Sequence, residues 1–372
     1  MPYKTIIIIL SILLVLITAV LIGYNFFFKQ EPIKLETGTE TEQPVSAPVS
    51  ESKIKALSQE PVLAAVADSQ KVKFFSALNG RLWQADFDGL GLEEKTSADL
   101  LSLKKVVFSP DRTKTINYLE ENGLIKKYLY DLASDKTSAL NDNIESICFS
   151  GLGNKIAYHY SNKATGQSSI NISNPDGSGW KNILDINIKD LIIEWPQENL
   201  ISFRNKPSGL AQSIVYTLNP ANGNYSQIIN NTFGLSALWS PRGAKVLFSE
   251  TDSQGQNLKL KIAGIGGQIL SELDFSTLPE KCAWSQDERT LFCAVPKQIP
   301  QEFILPDDYY KGVFSSADDF IKINTETNQK SPLIGAEDLQ AEFDAYQIFL
   351  NIEETYLFFI NKKDGLLYSL AL

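Results

Sequence analysis

Histidine occurs once and cysteine three times in 372 residues, too few for a Cys/His zinc site or a disulfide-scaffolded fold. No G-x-S-x-G elbow, H-E-x-x-H, C-x-x-C, P-loop or complete dinucleotide-binding glycine pattern is present. The short signatures of acyl-transfer, metalloprotease, thiol-redox and nucleotide chemistry are therefore missing. Positive charge is also scarce, with 34 Lys and Arg against 44 Asp and Glu and a net charge of −10. Because phosphate affinity comes mainly from Lys and Arg, no nucleic-acid partner is expected. No cofactor, metal or catalytic residue is expected either, and the chain reads as a non-enzyme.

What the chain has is repetition. LWSPRGAKVLFS at Leu238 to Ser249 has counterparts in FSPDRTKTINY from Phe108, FSGLGNKIAYHY from Phe149, EWPQENLISFR from Glu194, WSQDERTLFCAV from Trp284 and FLNIEETYLFF from Phe349. A degenerate copy, VADSQKVKFFS, begins at Val66. Each ends one strand on an aromatic or apolar residue, crosses a polar turn and enters an alternating apolar strand, which is the pattern of a β-hairpin. Aligned on Ala65, Phe108, Phe149, Trp195, Trp239, Trp284 and Phe349, the copies recur every roughly 41 to 46 residues except the last, the period of a four-stranded propeller blade. The spacing predicts an all-β, seven-bladed β-propeller over residues 53–372, with six or eight blades as alternatives. Ile54 to Ser58 resembles the outer-strand stretches at Glu93 to Leu100 and Asp135 to Leu140, so it is expected to supply the fourth strand of the last blade and close the ring. Asn, Asp and Gly at Asp86 to Gly89, Asn174 to Gly179, Asn219 to Gly223 and Ile265 to Gly267 mark tight turns between third and fourth strands.

FSPDRTKTINY, WSPRGAKVLFS and the NPDGSG turn resemble the repeats of TolB-type, WD-repeat-like β-propellers, with their F/W-S-P-D-G-K-x-I-A-F hairpin and D/N-x-D-G turn. The resemblance covers Ile54 to Leu372. It implies the fold and an extracytoplasmic protein-interaction platform in the cell envelope. The N-terminal domain of TolB has no counterpart, and an apolar segment with a tether stands in its place.

Thr5 to Phe28 carries no charge, and its about 24 residues would span roughly 36 Å as a helix, enough to cross a hydrocarbon core with some tilt. Residues 1–28 are expected to be an uncleaved transmembrane anchor, since a cleaved signal has a shorter apolar core and a small-x-small site. Residues 29–52, rich in Pro, Ser, Thr and Glu, read as a disordered tether. The expected location is a single-pass cell-membrane protein with everything after Phe28 on the extracytoplasmic side.

Trp195, Trp239 and Trp284 occupy equivalent repeat positions and are expected to pack between blades. Asp86, Asp88 and Asp176 belong to turns that lack the full alternating calcium-ligand pattern. His159, alone in KIAYHY, reads as structural. Cys282 and Cys293 flank the hairpin turn at Asp287 and Glu288 symmetrically and should face each other across paired strands. The strain common in cross-strand pairs weighs towards two buried thiols, with a disulfide as the alternative. Cys148 is expected to be a small core residue in the first strand of its blade.

The interval before the last copy is longer by about twenty residues, which places an insertion within the sixth blade. The inserted stretch PKQIPQEFILPDDYYKGVFSSADD should open on the face that carries the interblade loops. Phe303, Asp307, Asp308, Tyr309, Tyr310, Phe314, Asp318 and Asp319 form the candidate interaction loop, a mixture of aromatic and anionic groups suited to an amphipathic contact. The alternative is a loop whose aromatics fold back over the channel or a blade edge. Adjacent carboxylates in extended chain point to opposite sides, which argues against a glycosidic pair at either Asp-Asp step. Together these features predict a membrane-anchored, non-catalytic module binding an envelope protein or a glycan. The rival reading is a glycosidase- or lyase-like enzyme acting on surface polysaccharide, with carboxylates converging in the propeller funnel.

Overall fold

The computed structural model describes residues 53–96, 99–335, 337–339 and 341–372. The expected anchor at 5–28 and the tether at 29–52 lie outside the described residues. Among those that are described, no helix is long and apolar enough to cross a membrane.

Alternating apolar strands bounded by turn residues pair into seven four-stranded antiparallel sheets, each in simple meander order except the last. Their innermost strands are Val62–Ala67, Leu103–Phe108, Ile144–Phe149, Leu191–Gln197, Ala237–Trp239, Cys282–Trp284 and Ala345–Leu350. We number the blades one to seven in that order. The first blade's inner strand packs against those of the second and the seventh, so the ring is closed. The seventh sheet takes Ile54–Ala56 as its outermost strand, with Ile54 opposite Leu370 and Ala56 opposite Tyr368. Leu57 N donates to Leu367 O and Ser369 Oγ to Phe87 O, which locks the joint to the first blade. Seven blades and closure by N-terminal material both match the expectation from sequence.

The core is a set of wedges between blades rather than one central mass. Phe292 and Phe320 of the sixth blade meet Leu357 and Phe359 of the seventh, and Phe358 and Ile360 of the seventh meet Val72 and Phe74 of the first. Burying each such side chain contributes about 1.5–3 kcal/mol relative to leaving it exposed. Trp239 and Trp284 are buried in wedges of this kind, as their repeat positions suggested, while Trp195 is only half-buried against one.

The serine of the repeat motif has a specific task. Ser109, Ser150 and Ser240 Oγ each accept from the backbone N–H five residues on, at Lys114, Lys155 and Lys245; Asn351 does the same for Tyr356 in the last copy. The turns also tie neighbouring blades together. Arg112 Nε donates to Ala67 O, Gln197 Nε2 to Arg242 O, and Arg242 N to Glu288 Oε1.

Cys282 and Cys293 are register partners in the first hairpin of the sixth blade, with Cα atoms 4.1 Å apart, and they are joined as a disulfide. The expectation of two free thiols is corrected: direct opposition on paired strands brings the sulfurs into bonding range. Cys148 is the free cysteine among the described residues. His159 is fully buried, with Nε2 at 2.9 Å from Ser168 Oγ and Nδ1 at 3.3 Å from Glu145 Oε2.

Candidate functional site

The insertion leaves the second strand of the sixth blade at Pro296 and rejoins the third at Asp318. Its apolar side chains fold back. Leu305, Tyr309 and Phe314, with Ile299 and Phe303 beside them, bury themselves against Leu258 and Leu278 of the fifth blade and its exit loop. Phe303 and Phe314 meet at a tilt, with ring centroids 5.0 Å apart.

Backbone contacts fix the loop's path across its neighbours. Leu305 N donates to Gly255 O at 2.8 Å, and Asp307 accepts from Gly209 N at 2.6 Å and Ser208 Oγ at 3.1 Å. A Cβ on Gly209 would overlap Leu305 O, and one on Gly255 would lie 2.6 Å from Ile304 Cγ2, so glycine is needed at both crossings. The loop therefore straps the second-to-third-strand loops of the fourth and fifth blades.

Asp307 and Asp308 begin a short helix, Asp307–Tyr310, which we label α1. This corrects the extended-chain argument at that step. Asp307 reaches outwards to the fourth blade, while Asp308 accepts from Ile304 N at 2.8 Å and steadies the turn into the helix. At Asp318 and Asp319 the extended-chain argument holds: Asp318 is wholly buried and Asp319 projects outwards towards Lys297 at 3.7 Å.

Under the strap lies a buried ionic cluster. Lys281 Nζ, 1% exposed, sits 2.8 Å from Asp318 Oδ2 and 2.7 Å from Asp344 Oδ1, both carboxylates being fully buried. Asp344 also accepts from Tyr309 OH at 3.0 Å, Ser315 Oγ at 2.8 Å and Ser316 Oγ at 2.9 Å. Lys362 closes the group from the seventh blade, its Nζ 3.6 Å from the Tyr309 ring centre and 2.6 Å from Tyr309 O. Burial pushes Asp318 up, against the pull of Lys281. For Asp344 burial acts the same way but is outweighed by the ammonium and the serine hydroxyls, which hold it below the usual carboxylate range. Burial lowers Lys362 and, with Asp344, raises the Tyr309 phenol.

Lys281 and Asp344 immediately precede innermost strands, as does Ser236, whose Oγ meets Tyr310 OH at 3.3 Å and donates to Glu280 Oε2 at 3.0 Å. The strap thus reaches the mouth-side ends of the inner strands of blades five, six and seven. Of the eight nominated residues, Tyr309, Phe314 and Asp318 are buried, Phe303, Asp307 and Asp308 are partly covered, and Tyr310 and Asp319 present surface to solvent. Val313, not nominated, is 62% exposed beside them. Lys281, Asp344, Ser316 and Lys362 were missed; for Lys281 and Asp344 a charged residue just ahead of an apolar inner strand was the available signal.

Elsewhere the channel is lined differently. A cavity of about 480 Å3 enclosed by the inner strands of blades seven, one and two meets Ala64, Val66, Lys104, Lys105, Tyr346 and Gln347, with no carboxylate among its lining residues. Among the described residues, no group of three or more His, Cys, Asp or Glu is placed to hold a metal ion.

No protein-family model matches the chain, and no curated protein matches it in sequence. Solved structures do resemble it in shape. An oligogalacturonate lyase in complex with manganese superposes with a TM-score of 0.60 at 10% identity, over 86% of this chain and 91% of that one. The oligogalacturonate lyase of Vibrio parahaemolyticus gives 0.60 at 9% identity, over 87% and 94%. TolB from Acinetobacter baumannii gives 0.46 at 17% identity, over 68% and 59%. At such identities the two lyases show a shared β-propeller fold and nothing finer.

Proposed function

We propose that this protein is a TolB-like, membrane-anchored propeller that stands outside the cytoplasm and binds an envelope protein or glycan without catalysing a reaction. The observation that carries this reading is the use made of the carboxylates. On the strap face Asp307, Asp308, Asp318 and Asp344 are each engaged in holding the loop or its neighbours. The cavity beside the inner strands of blades seven, one and two has no acid among its lining residues. A glycosidase or lyase needs carboxylates free to act on a substrate, and these four acids are held in structural contacts. The buried Cys282–Cys293 disulfide supports placement in an oxidising compartment, in keeping with the anchor read from Thr5 to Phe28.

The contact surface on this reading is the outward side of the strap, with Tyr310, Val313 and Asp319 at its centre. Cross-linking and proximity labelling on intact cells, comparing wild type with Val313→Asp, tests it. A short set of envelope components captured by wild type and lost from the variant is expected. Identical capture by both would remove the strap from the interface, and capture by neither would count against the binding role.

A further inference from the structure

A large cavity lies away from the strap, in the cleft between the second and third blades. It measures about 580 Å3, inside the range of about 300–1,000 Å3 usual for small-ligand sites. The cleft is open because the third blade's outer edge stands clear of its neighbour. In the first, fourth and fifth blades, the glycine of the turn after the third strand sits so close to the preceding blade that a Cβ would press on a main-chain oxygen, at Ala56, Ile183 and Ile228. At Gly177 the nearest atom is Leu140 Cδ2 at 3.4 Å. The second blade's outer strand, Lys136–Ala139, is exposed along its whole length and does not fill the gap.

The third blade also presents the wrong chemistry for a closed interface there. Its third strand, QSSINIS, puts Ile170 and Ile172 on one face and Ser169, Asn171 and Ser173 on the other. Asn171 lies opposite Tyr158 on the cavity wall, 3% exposed, with no hydrogen-bond partner for Oδ1; Ser169 Oγ, next on the same face, is likewise unpartnered. Buried polar atoms left unpaired are costly, so they mark a place where something else supplies the partner.

We propose that this cleft is a subsite for a neutral pyranose unit of a glycan, a reading that rests on the protein being a binding module and narrows its ligand. A pyranose offers an apolar face and a rim of hydroxyls that each donate and accept. The cavity answers both. Tyr158, Tyr160 and Trp180 line it, Trp180 with 65% of its surface free, and aromatic faces suit the apolar side of a sugar ring. Asn141, Gln167 and Asn171 supply amides, which donate and accept at once. No Lys or Arg lines the cavity, and its single carboxylate, Asp176, already accepts from Ser178 N and Oγ at 3.0 and 2.7 Å. An anionic ligand would find no counter-ion in the lining, so a neutral unit fits better than an anionic one. The turn leading to Trp180 is braced by Asn174 N to Ser178 O and by Asn174 Nδ2 to Ser178 Oγ, both 2.9 Å, which fixes the backbone just ahead of it.

The test uses the full chain in detergent, titrated with maltose, cellobiose, lactose and chitobiose while saturation-transfer NMR and tryptophan fluorescence are read. At least one disaccharide should bind, and Trp180→Ala should weaken it about three- to tenfold, the worth of one lost ring contact, with the thermal midpoint unchanged. Asn171→Ser should also weaken binding. The proposal is overturned if none of the four sugars binds, or if binding ignores Trp180→Ala. Should the sugars fail while envelope cross-linking through the strap persists, this cleft loses its role and the binding module keeps its own. If Trp180→Ala instead removes a cross-linked protein, the cleft is a peptide site and the saccharide assignment falls.

Discussion

Replacing Lys281 by methionine removes the cation that pairs with both buried carboxylates beneath the strap while roughly keeping side-chain volume. The ammonium lies 2.8 Å from Asp318 and 2.7 Å from Asp344, and both carboxylates are fully buried. Without it both carboxylates lose their charge partner and keep only neutral donors, a loss that costs about 3–5 kcal/mol when one member of a buried pair is deleted. In a domain of this size that corresponds to roughly 5–8 °C in Tm. Lys297→Met is the matched control, because its pairing with Asp319 spans 3.7 Å with side chains 45% and 52% exposed and is worth at most about 1 kcal/mol. Thermal melts followed by circular dichroism at pH 7 compare the two. If Lys281→Met shifts the midpoint no more than Lys297→Met does, the cluster does not hold the strap and the reasoning fails.

The disulfide closes a short loop between Cys282 and Cys293, so Cys282→Ser with Cys293→Ser should cost about 2–3 kcal/mol; thermal melts that do not distinguish the variant, or the reduced protein, from the oxidised wild type would contradict the bond's contribution. His159 is buried, and desolvation holds its imidazole below its ordinary pKa despite Glu145 and Asp190. The unfolded chain therefore binds the proton more readily at mildly acidic pH, and stability should fall as pH drops through about 6.5, the unfolded value. His159→Gln should flatten the fall in Tm measured from pH 7.5 to 5.5, and an unaltered slope would mean another group sets it.

The architecture was legible because it is periodic. Strand alternation and the Ser- or Asn-capped turns, repeated at Phe108, Phe149, Trp239 and Phe349, are local signals, and the recurrence of one weak signal makes it strong. The return of Ile54–Ala56 to the last sheet was legible for the same reason, through likeness to other outer strands. The ionic cluster was not, because Lys281 and Asp344 become neighbours only once two blades are packed, and nothing near either residue announces the other. The disulfide was half visible: symmetry about the turn predicted that the cysteines would face each other, and only their pairing in register decided the bond. The strap shows a third kind of limit. Its aromatics read equally as a contact surface or as a local core, and burial depended on Leu258, Leu278, Gly209 and Gly255, which belong to other parts of the chain. The cleft lined by Asn171 and Trp180 was missed although QSSINIS carries its trace, a polar stripe at Ser169, Asn171 and Ser173.

The proposed envelope-binding role requires the propeller to stand on the far side of the membrane, and this can be measured directly. Leu152, 70% exposed in the turn that ends the third blade's inner strand, can be replaced by cysteine and intact cells treated with a membrane-impermeant maleimide, with the unsubstituted protein as the blank. Labelling of Leu152→Cys in intact cells, equal to that after lysis, is the result predicted. Labelling that appears only after the cells are broken would place the propeller in the cytoplasm and contradict the account.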